Sequence, residues 1–473
     1  MNAPAASGSP RQVRIVTYLP HVPWRWVVLM AGPWVAGMYI GACNGPAMTF
    51  TLKRFVSDPF LITVISSINI LFNFMVGAVA NYLSDRIWTP VGRRKPFLLA
   101  GWIGTGIMVL LIPVVTNLFV LLPILVLFQF FIDLSSPYQP LTNEVTPQPQ
   151  RGRAATISTM LHMSQAMIFG AAIIGRFDDV YRLSIFGRTY VVTGELAIYW
   201  MGALALLGVI LFVGLIVKER PPLKGVNHGK ISPVTFFRDI FGERQWWMLY
   251  LLFLCPGLAG AWTATLMPLF VTEQLGFTKQ ELGLSMAIGM PVMIFIAIPI
   301  AGFLVDKFQH LRLRLFQLGI LIPAIIGFCL YLYIKYVANY QISIGLWMGV
   351  GMFGALFGSW TTVSWGPLMF DYMPSSKFGT ISAGFGFVNG VATFILMNVS
   401  GLWVKFYSGI FARGERTFDY SSIYIPSFIS ALIAAALLEF FRVQVSRGKV
   451  IPFGKLEHEA EKKRAEAEEA ARA

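Results

Sequence analysis

The sequence predicts an all-α membrane protein, with twelve transmembrane helices in two six-helix pseudo-repeats. Three observations carry that expectation. Of the 473 residues, 56% are hydrophobic and only 13% are charged, against nearer a quarter charged in a soluble domain. Apolar runs of about 20 residues, the length that spans a bilayer, recur from one end of the chain to the other. Short loop motifs return at a near-constant spacing, as duplication of six spans would leave them. One buried core cannot hold so large an apolar excess, because single cores stop growing at about 250–300 residues.

The runs fall near residues 25–48, 58–83, 97–116, 118–138, 154–175, 196–217, 246–271, 281–304, 315–335, 341–366, 378–403 and 423–441. An even number of spans puts both termini on one side of the membrane. Residues 1–23 are polar, contain Pro and Ser, and lack the apolar core and cleavage site of a secretory leader. The first span is therefore expected to act as an uncleaved insertion signal. Residues 24–217 make the first six-helix bundle and 246–444 the second. Between them, residues 218–245 hold Pro221, Pro222 and several charges, and read as a linker. Residues 445–473 form a charged, Ala-rich tail suited to a solvated helix.

The net charge is +14. In a soluble protein that balance would point to nucleic acid. Here the basic residues gather in the loops after even-numbered spans: Arg86, Arg93, Arg94 and Lys95, then Arg151 and Arg153, then Lys218 to Arg244, then Lys307, Arg312 and Arg314. Cytoplasmic loops carry such an excess. These loops and both termini are expected in the cytoplasm, with the chain in a plasma (inner) membrane. Lys53, Arg54, Arg176, Arg182, Arg188, Arg413 and Arg416 lie on the opposite side and blur the pattern. The lipid bilayer is an expected partner, nucleic acid is not, and the chain is expected to be a monomer.

Nothing in the sequence is arranged for covalent or metal chemistry. Cys43, Cys255 and Cys329 lie far apart inside apolar runs, without ligand spacing. There is no CxxC, HExxH, Walker or GxSxG pattern. No enzyme activity, metal or cofactor is expected.

The halves repeat. The second span ends in Asp85-Arg86 with Arg93 eight residues after the Asp; the eighth ends in Asp306-Lys307 with Arg314 at the same distance. Pro140 to Pro147 and Pro367 to Pro374 share Pro-Leu-x-x-acid-x-x-Pro, with Glu144 and Asp371 as the acids. The offsets are 306 minus 85, or 221, and 371 minus 144, or 227. Internal duplication of this kind marks secondary transporters, whose site lies near mid-membrane between the repeats.

From Ser84 the chain reads SDRIWTPVGRRKPFLLAG, with Gly92, Arg93 and Arg94 at its centre. This resembles the loop signature of the major facilitator superfamily. In its SDR…GRRKPF form it is most similar to the sucrose/proton symporters and the glycoside–pentoside–hexuronide:cation symporters. The segment from Pro137 to Arg153, PYQPLTNEVTPQPQRGR, is similar to the same stretch of those families. The resemblance implies a secondary active transporter that moves a small-molecule substrate, a sugar or glycoside, by alternating access, through proton-coupled symport. Two positions depart from the pattern. Gln139 stands where plant-type sucrose carriers have an Arg, and Asn73 and Gly77 stand where melibiose-type carriers place sodium-binding acids. Two alternatives remain on the same fold: a non-transporting assembly factor or sensor, and a facilitator for a non-sugar solute.

Helices that line an aqueous path carry polar side chains, which lipid-facing helices do not need. Spans 3, 6, 9 and 12 are nearly free of them. Spans 1, 2, 4, 5, 7, 10 and 11 are not, and spans 2, 4 and 5 carry stripes at i, i+3/i+4 and i+7, each on one helix face: Ser66, Asn69 and Asn73; Gln129, Asp133 and Ser136; Ser158, His162 and Gln165. The second half adds Trp262, Thr265, Trp360, Ser364 and Asn389. Indole rings beside hydrogen-bonding groups suit a sugar, whose C–H faces stack on aromatics. Asn69, Asn73, Gln129, Gln165, Trp262, Thr265, Trp360, Ser364 and Asn389 are the expected substrate contacts. Gly-x-x-x-Gly spacings at Gly354–Gly358 and Gly386–Gly390 suggest close helix approach there.

Asp133 is the carboxylate placed well inside a span. Burying its charge is costly, which favours a bound proton near neutral pH. With His162 on the next, antiparallel span it forms the expected proton-coupling pair. The expected gate comprises Asp85, Gly92, Arg93, Arg94, Glu144, Arg151, Asp306, Arg314 and Asp371. Within it, Arg93 or Arg94 would meet Glu144, and Arg314 would meet Asp371. Asp85 would sit near a helix N-terminus of the other half.

Overall fold

The computed structural model describes residues 23–142, 157–217, 219, 237–373, 378–411 and 418–452, apart from scattered positions that include Asp85 and His162. The chain is an integral, multi-pass membrane protein. Among the described residues ten helices are long and apolar enough to cross a bilayer. They are α1 (Arg25–Lys53), α2 (Pro59–Asn81), α3 (Lys95–Val114), α6 (Gly194–Ile216), α7 (Arg244–Gln274), α8 (Lys279–Val305), α9 (Arg312–Tyr336), α10 (Ile344–Met369), α11 (Gly384–Phe411) and α12 (Tyr420–Ser446). The fourth span, α4, is the shorter Leu118–Leu134. The described part of the fifth, α5, closes in the π turn Phe169–Ile173 and the 3-10 turn Ile174–Arg176.

Local chemistry fixes several of these starts. Asp58 caps α2 by accepting from the Phe60 N–H at 2.8 Å, with Pro59 in the first turn, where a missing N–H costs nothing. Thr278 and Glu281 form a capping box on α8, which satisfies two orphan donors reciprocally. Between α5 and α6 the chain makes an antiparallel hairpin, β1 (Val180–Ile185) with β2 (Arg188–Thr193). The sequence reading placed only a loop there; the strands are rich in the β-branched and aromatic residues that favour extended chain. Below, this end of the molecule is the hairpin side, and the end with the basic loops is the basic side.

Matching spans of the two halves are bent at matching depths. α1 leaves helical geometry at Gly45 (φ −91°, ψ −105°) in the π turn Cys43–Ala47, which contains Pro46. α7 breaks at Thr265 and Leu266, just before Pro268. Proline cannot donate the helical hydrogen bond, so each break falls where the bond is lost. α2 has a π turn at Asn73–Gly77 and α8 one at Met293–Ala297.

Beyond each break a buried acid anchors the hairpin-side segment. Glu195, at the start of α6 and 4% exposed, accepts from Thr51 Oγ1 at 2.7 Å and pairs with Arg54. Asp419, just before α12, accepts from Gln274 at 2.6 Å and from Lys335 at 3.0 Å. Burial pushes the Asp419 carboxyl up, but hydrogen bonds from Ser421, Gln274 and Lys335 outweigh it and hold it below the usual carboxylate range. Its folded pKa is therefore depressed. The stability it adds is present above the unfolded value of about 3.9 and is lost as pH falls through the folded value. Asp419→Asn takes the counter-charge from the half-buried Lys335 and should cost roughly 1–3 kcal/mol at neutral pH. Thermal unfolding of purified protein checks this: the gap to wild type should be full at pH 7 and shrink towards acid.

Described contacts between the halves run mainly through α2 with α11 and through α5 with α8, while α3, α6, α9 and α12 pack within their own halves. Both crossings are seated on glycine. A Cβ on Gly283 of α8 would lie 2.2 Å from the Gly170 carbonyl oxygen of α5. One on Gly401 of α11 would lie 2.3 Å from Thr63 Oγ1 of α2. The expected Gly354–Gly358 approach is absent: Gly354 has no neighbour within 4 Å of such an atom, and Gly358 meets only Pro323 at 3.8 Å. Of the second pair, Gly386 is open and Gly390 is pressed against Phe74 of α2.

Candidate substrate and proton site

Asp133 closes the last turn of α4 and is 6% exposed. Its Oδ1 accepts from Asn73 Nδ2 at 3.0 Å; Oδ2 is buried without a hydrogen-bond partner among the described residues. Asn73 opens the π turn of α2. One turn further, Ser136 donates to the Gly77 carbonyl at 3.0 Å, and Asn81 donates to both, at 2.9 Å each. The helices are close here: a Cβ on Gly77 would stand in ordinary contact with Ser136, at 3.5 Å. The α2–α4 seam is thus a polar ladder in an apolar bundle. At its top sits a carboxyl group with one oxygen held by an amide and the other available for a proton.

Gln129, one turn along α4, is held by Asn44: Gln129 Nε2 donates to Asn44 Oδ1 at 2.7 Å, and Asn44 Nδ2 donates back at 3.3 Å. Asn44 lies at the α1 break and is absent from the sequence-based site. Its signal was legible, because Asn-Gly-Pro inside an apolar run is a helix breaker with a polar head. Gln165 of α5 is 6% exposed, and both amide atoms lack hydrogen-bond partners among the described residues. It lines a cavity of about 350 Å³ with Pro33, Tyr39, Val209 and Phe212, between α1, α5 and α6. Asn69 lies half-buried one turn before Asn73.

The second half presents a different set. Trp262 donates through Nε1 to Ser430 of α12 at 2.8 Å, so its indole N–H is committed within its own half. Thr265 is buried at the α7 break. On α10, Trp360 Nε1 and Ser364 Oγ are buried without hydrogen-bond partners among the described residues, and Trp360 packs edge-on against Phe357. Asn389 presses its Oδ1 onto α7 at Gly257, where a Cβ would lie 2.6 Å away. The structure thus brings Asn73 and Asp133 together directly, and gives Gln129 and Trp262 partners outside the expected set.

On the basic side, the Glu219 carboxylate accepts from the backbone N–H groups of Arg93, Arg94 and Lys95 at 2.6–3.0 Å. It thereby caps the positive end of α3. Gly92 makes room: its φ is +139°, and a Cβ would lie 2.8 Å from Glu219 Oε1. The expected Arg314–Asp371 pair is corrected. Asp371 pairs with Arg312 at 3.3 Å, while Arg314 pairs with Glu439 of α12 at 2.9 Å. Two residues turn a helix by about 200°, so Arg312 and Arg314 face different neighbours. Asp85, Glu144, Arg151 and His162 lie outside the described residues, as does the side chain of Asp306.

The family pattern of the major facilitator superfamily matches residues 29–397, most of the chain. The chain belongs to the major facilitator superfamily. No curated protein matches it in sequence. Among solved structures it is similar to a D-xylose–proton symporter, with 14% identity, a TM-score of 0.63, and 91% of this chain and 98% of that one covered. It is similar to the nucleoside transporter NupG, with 13% identity, a TM-score of 0.63, and 89% and 100% covered. It is also similar to a POT family transporter in complex with a thioalcohol-conjugated peptide, with 12% identity, a TM-score of 0.66, and 89% and 96% covered. At these identities the likeness is one of fold. In this superfamily member, every ion pair that joins described residues of the two halves lies on the hairpin side.

Proposed function

We propose that this superfamily member is a secondary active transporter that moves a sugar or glycoside by alternating access, coupled to protons. The observation that carries the reading is Asp133: a carboxyl group 6% exposed, with one amide donor and one unsatisfied oxygen, on a polar seam between two helices. A proton bound there is the coupling ion, and Asn73 stays as partner in both protonation states. Trp360 and Ser364 supply an indole and a hydroxyl with free hydrogen-bonding capacity, as a polyhydroxylated solute requires. The signature around Gly92 and the departure at Gln139 favour a glycoside or simple sugar over sucrose. The basic loops and both termini face the cytoplasm of the plasma (inner) membrane, and the protein works as a monomer. A non-sugar solute is the second reading, since the fold's neighbours include nucleoside and peptide carriers.

The test is uptake into proteoliposomes of a labelled panel of monosaccharides, glycosides, nucleosides and dipeptides, with and without an imposed pH gradient. A sugar or glycoside should accumulate only with the gradient. Gradient-independent equilibration, or accumulation of nucleoside or peptide alone, would overturn the sugar–proton reading. No transport of any solute would favour an assembly factor or sensor.

A further inference from the structure

The cavity that Gln165 lines is a slot between α1 and α6, of about 350 Å³, a size that holds small ligands. It is bounded at both ends. Towards the hairpin side Tyr39 donates its hydroxyl to the Ile198 carbonyl at 3.0 Å, and Gly202 brings α6 against Ile40 and Tyr39. Towards the basic side the rings of Trp26 and Phe212 meet, with centres 6.1 Å apart. Between these closures the two helices stand apart. The lining runs along α1 from Leu29 to Tyr39. 39 minus 29 is 10 residues, or about 15 Å, about half the hydrocarbon thickness of a bilayer.

The mouth of the slot opens on lipid. α6 packs within its own half, and Leu204, Leu207 and Leu211 on its outer face are exposed. Gly208 lies among them and lines the slot, as does the exposed Leu29 of α1. A Cβ on Gly32 or on Gly208 would meet nothing within 4 Å, so the space there is open.

Two polar side chains line the slot, Tyr39 and Gln165. The Tyr39 hydroxyl is committed to Ile198. Gln165 is 6% exposed, and its Oε1 and Nε2 both lack hydrogen-bond partners among the described residues. A buried amide left in that condition is costly, and no bulk water reaches it through lipid. It also lies deep. Residue 165 is 11 residues after 154 and 10 before 175, the ends of the fifth apolar run, so it stands about 15 Å from either end of that span.

A ligand that satisfies this amide must dissolve in the bilayer, reach its middle, and carry a group that both donates and accepts. A carboxylate is too costly at that depth. The ester carbonyls of a bilayer lipid accept without donating, and they lie at headgroup level. A hydroxyl does both and stays neutral. We infer that the slot is a binding site for a lipophilic alcohol, whose hydroxyl donates to Gln165 Oε1 and accepts from Gln165 Nε2 while its apolar body lies along α1 and α6. The site is entered from the bilayer and not from the aqueous path, so it stands whichever solute the protein carries.

The test uses purified protein in nanodiscs of phosphatidylcholine and a dodecanol probe with a photoreactive diazirine in its chain. After illumination, label should concentrate on the slot segments of α1 and α6. Unlabelled dodecanol should protect them at about tenfold lower concentration than dodecyl methyl ether, which accepts but cannot donate; tenfold corresponds to about 1.4 kcal/mol. Gln165→Met keeps the length of the side chain and removes its hydrogen bonding, and it should make the two competitors equal. Gly32→Leu with Gly208→Leu fills open space and should lower labelling of the slot about tenfold, while Gly354→Leu, on α10, should leave it unchanged. Label spread evenly over the lipid-facing helices and indifferent to the glycine variants would overturn the site, leaving boundary lipid contact only. Equal protection by alcohol and ether in the wild-type protein would overturn the alcohol and make the slot a seat for any acyl chain. Retention of the alcohol's advantage in Gln165→Met would overturn the role given to that amide.

Discussion

Asp133→Asn should leave a folded protein that exchanges solute across the membrane but cannot concentrate it. The substitution is nearly isosteric. It keeps an oxygen for Asn73 Nδ2, whose bond to Asp133 is 3.0 Å, and places an amide NH₂ where the unsatisfied Oδ2 lies. The stability change should stay within about 1 kcal/mol, the net worth of one hydrogen bond. What the side chain loses is the ability to take up and release a proton. With one proton per solute, a pH difference of one unit is worth about 1.4 kcal/mol, enough for about tenfold accumulation. Wild type should approach that ratio and Asp133→Asn should stop near unity, while counterflow of labelled against unlabelled solute persists in both. A variant that still concentrates solute under an imposed pH gradient removes Asp133 as the coupling group and moves attention to His162.

Gly283→Leu should stop net transport by a different route. α5 and α8 cross backbone to backbone, and a Cβ at 283 would stand 2.2 Å from the Gly170 carbonyl oxygen and 2.9 Å from Ile174 Cγ2. A carbonyl in a packed helix cannot swing aside, so the helices must part and the hairpin side cannot close. Overpacking of this kind costs about 1–3 kcal/mol, but here only in the state where that side is shut. A differential of that size shifts a two-state equilibrium by about 5- to 150-fold. Initial uptake should fall by a similar factor while the protein remains folded and still binds its solute. Gly354→Leu, at a position with no neighbour within 4 Å, is the control and should transport at the wild-type rate. Wild-type turnover in Gly283→Leu would mean that the α5–α8 crossing does not tighten in the cycle.

Those two glycines mark where the sequence was legible and where it was not. Span number, the repeat and the family signature were readable because each is local: an apolar run, a charge, a motif at fixed spacing. Asp133 was readable for the same reason, as a carboxylate in an apolar run is costly wherever it points. Its partner Asn73 was on the right stripe, since i, i+4 spacing defines a face without reference to the fold. Crossing points between distant helices are different. Gly-x-x-x-Gly at Gly354 has the spacing for close approach, yet no helix meets it, while Gly283 and Gly401 lie outside any such repeat and carry the contacts. The Arg312–Asp371 pair escaped for a related reason. The repeat aligned Arg314 with Arg93, but a helix beginning at Arg312 turns those two side chains to different neighbours. Lys53 read first as noise in the topology signal, and its partner Glu273 has no signal in the sequence. That pairing is visible only when the two halves are set face to face.

The breaks in α1 and α7 have a mechanical consequence. Thr51 and Arg54 are tied to Glu195 of α6, and Gln274 is tied to Asp419 beside α12, so the short rods beyond Gly45 and Leu266 are clamped to peripheral helices rather than to the long rods that precede them. Each first helix of a half is therefore two levers meeting at a fulcrum, with the Asn44–Gln129 amide pair beside one joint and Thr265 at the other. A lid made this way can bend over a bound solute at two joints without tilting an entire bundle, and Gly45 with Pro46 at the first joint and Pro268 at the second are what leave the backbone free to flex.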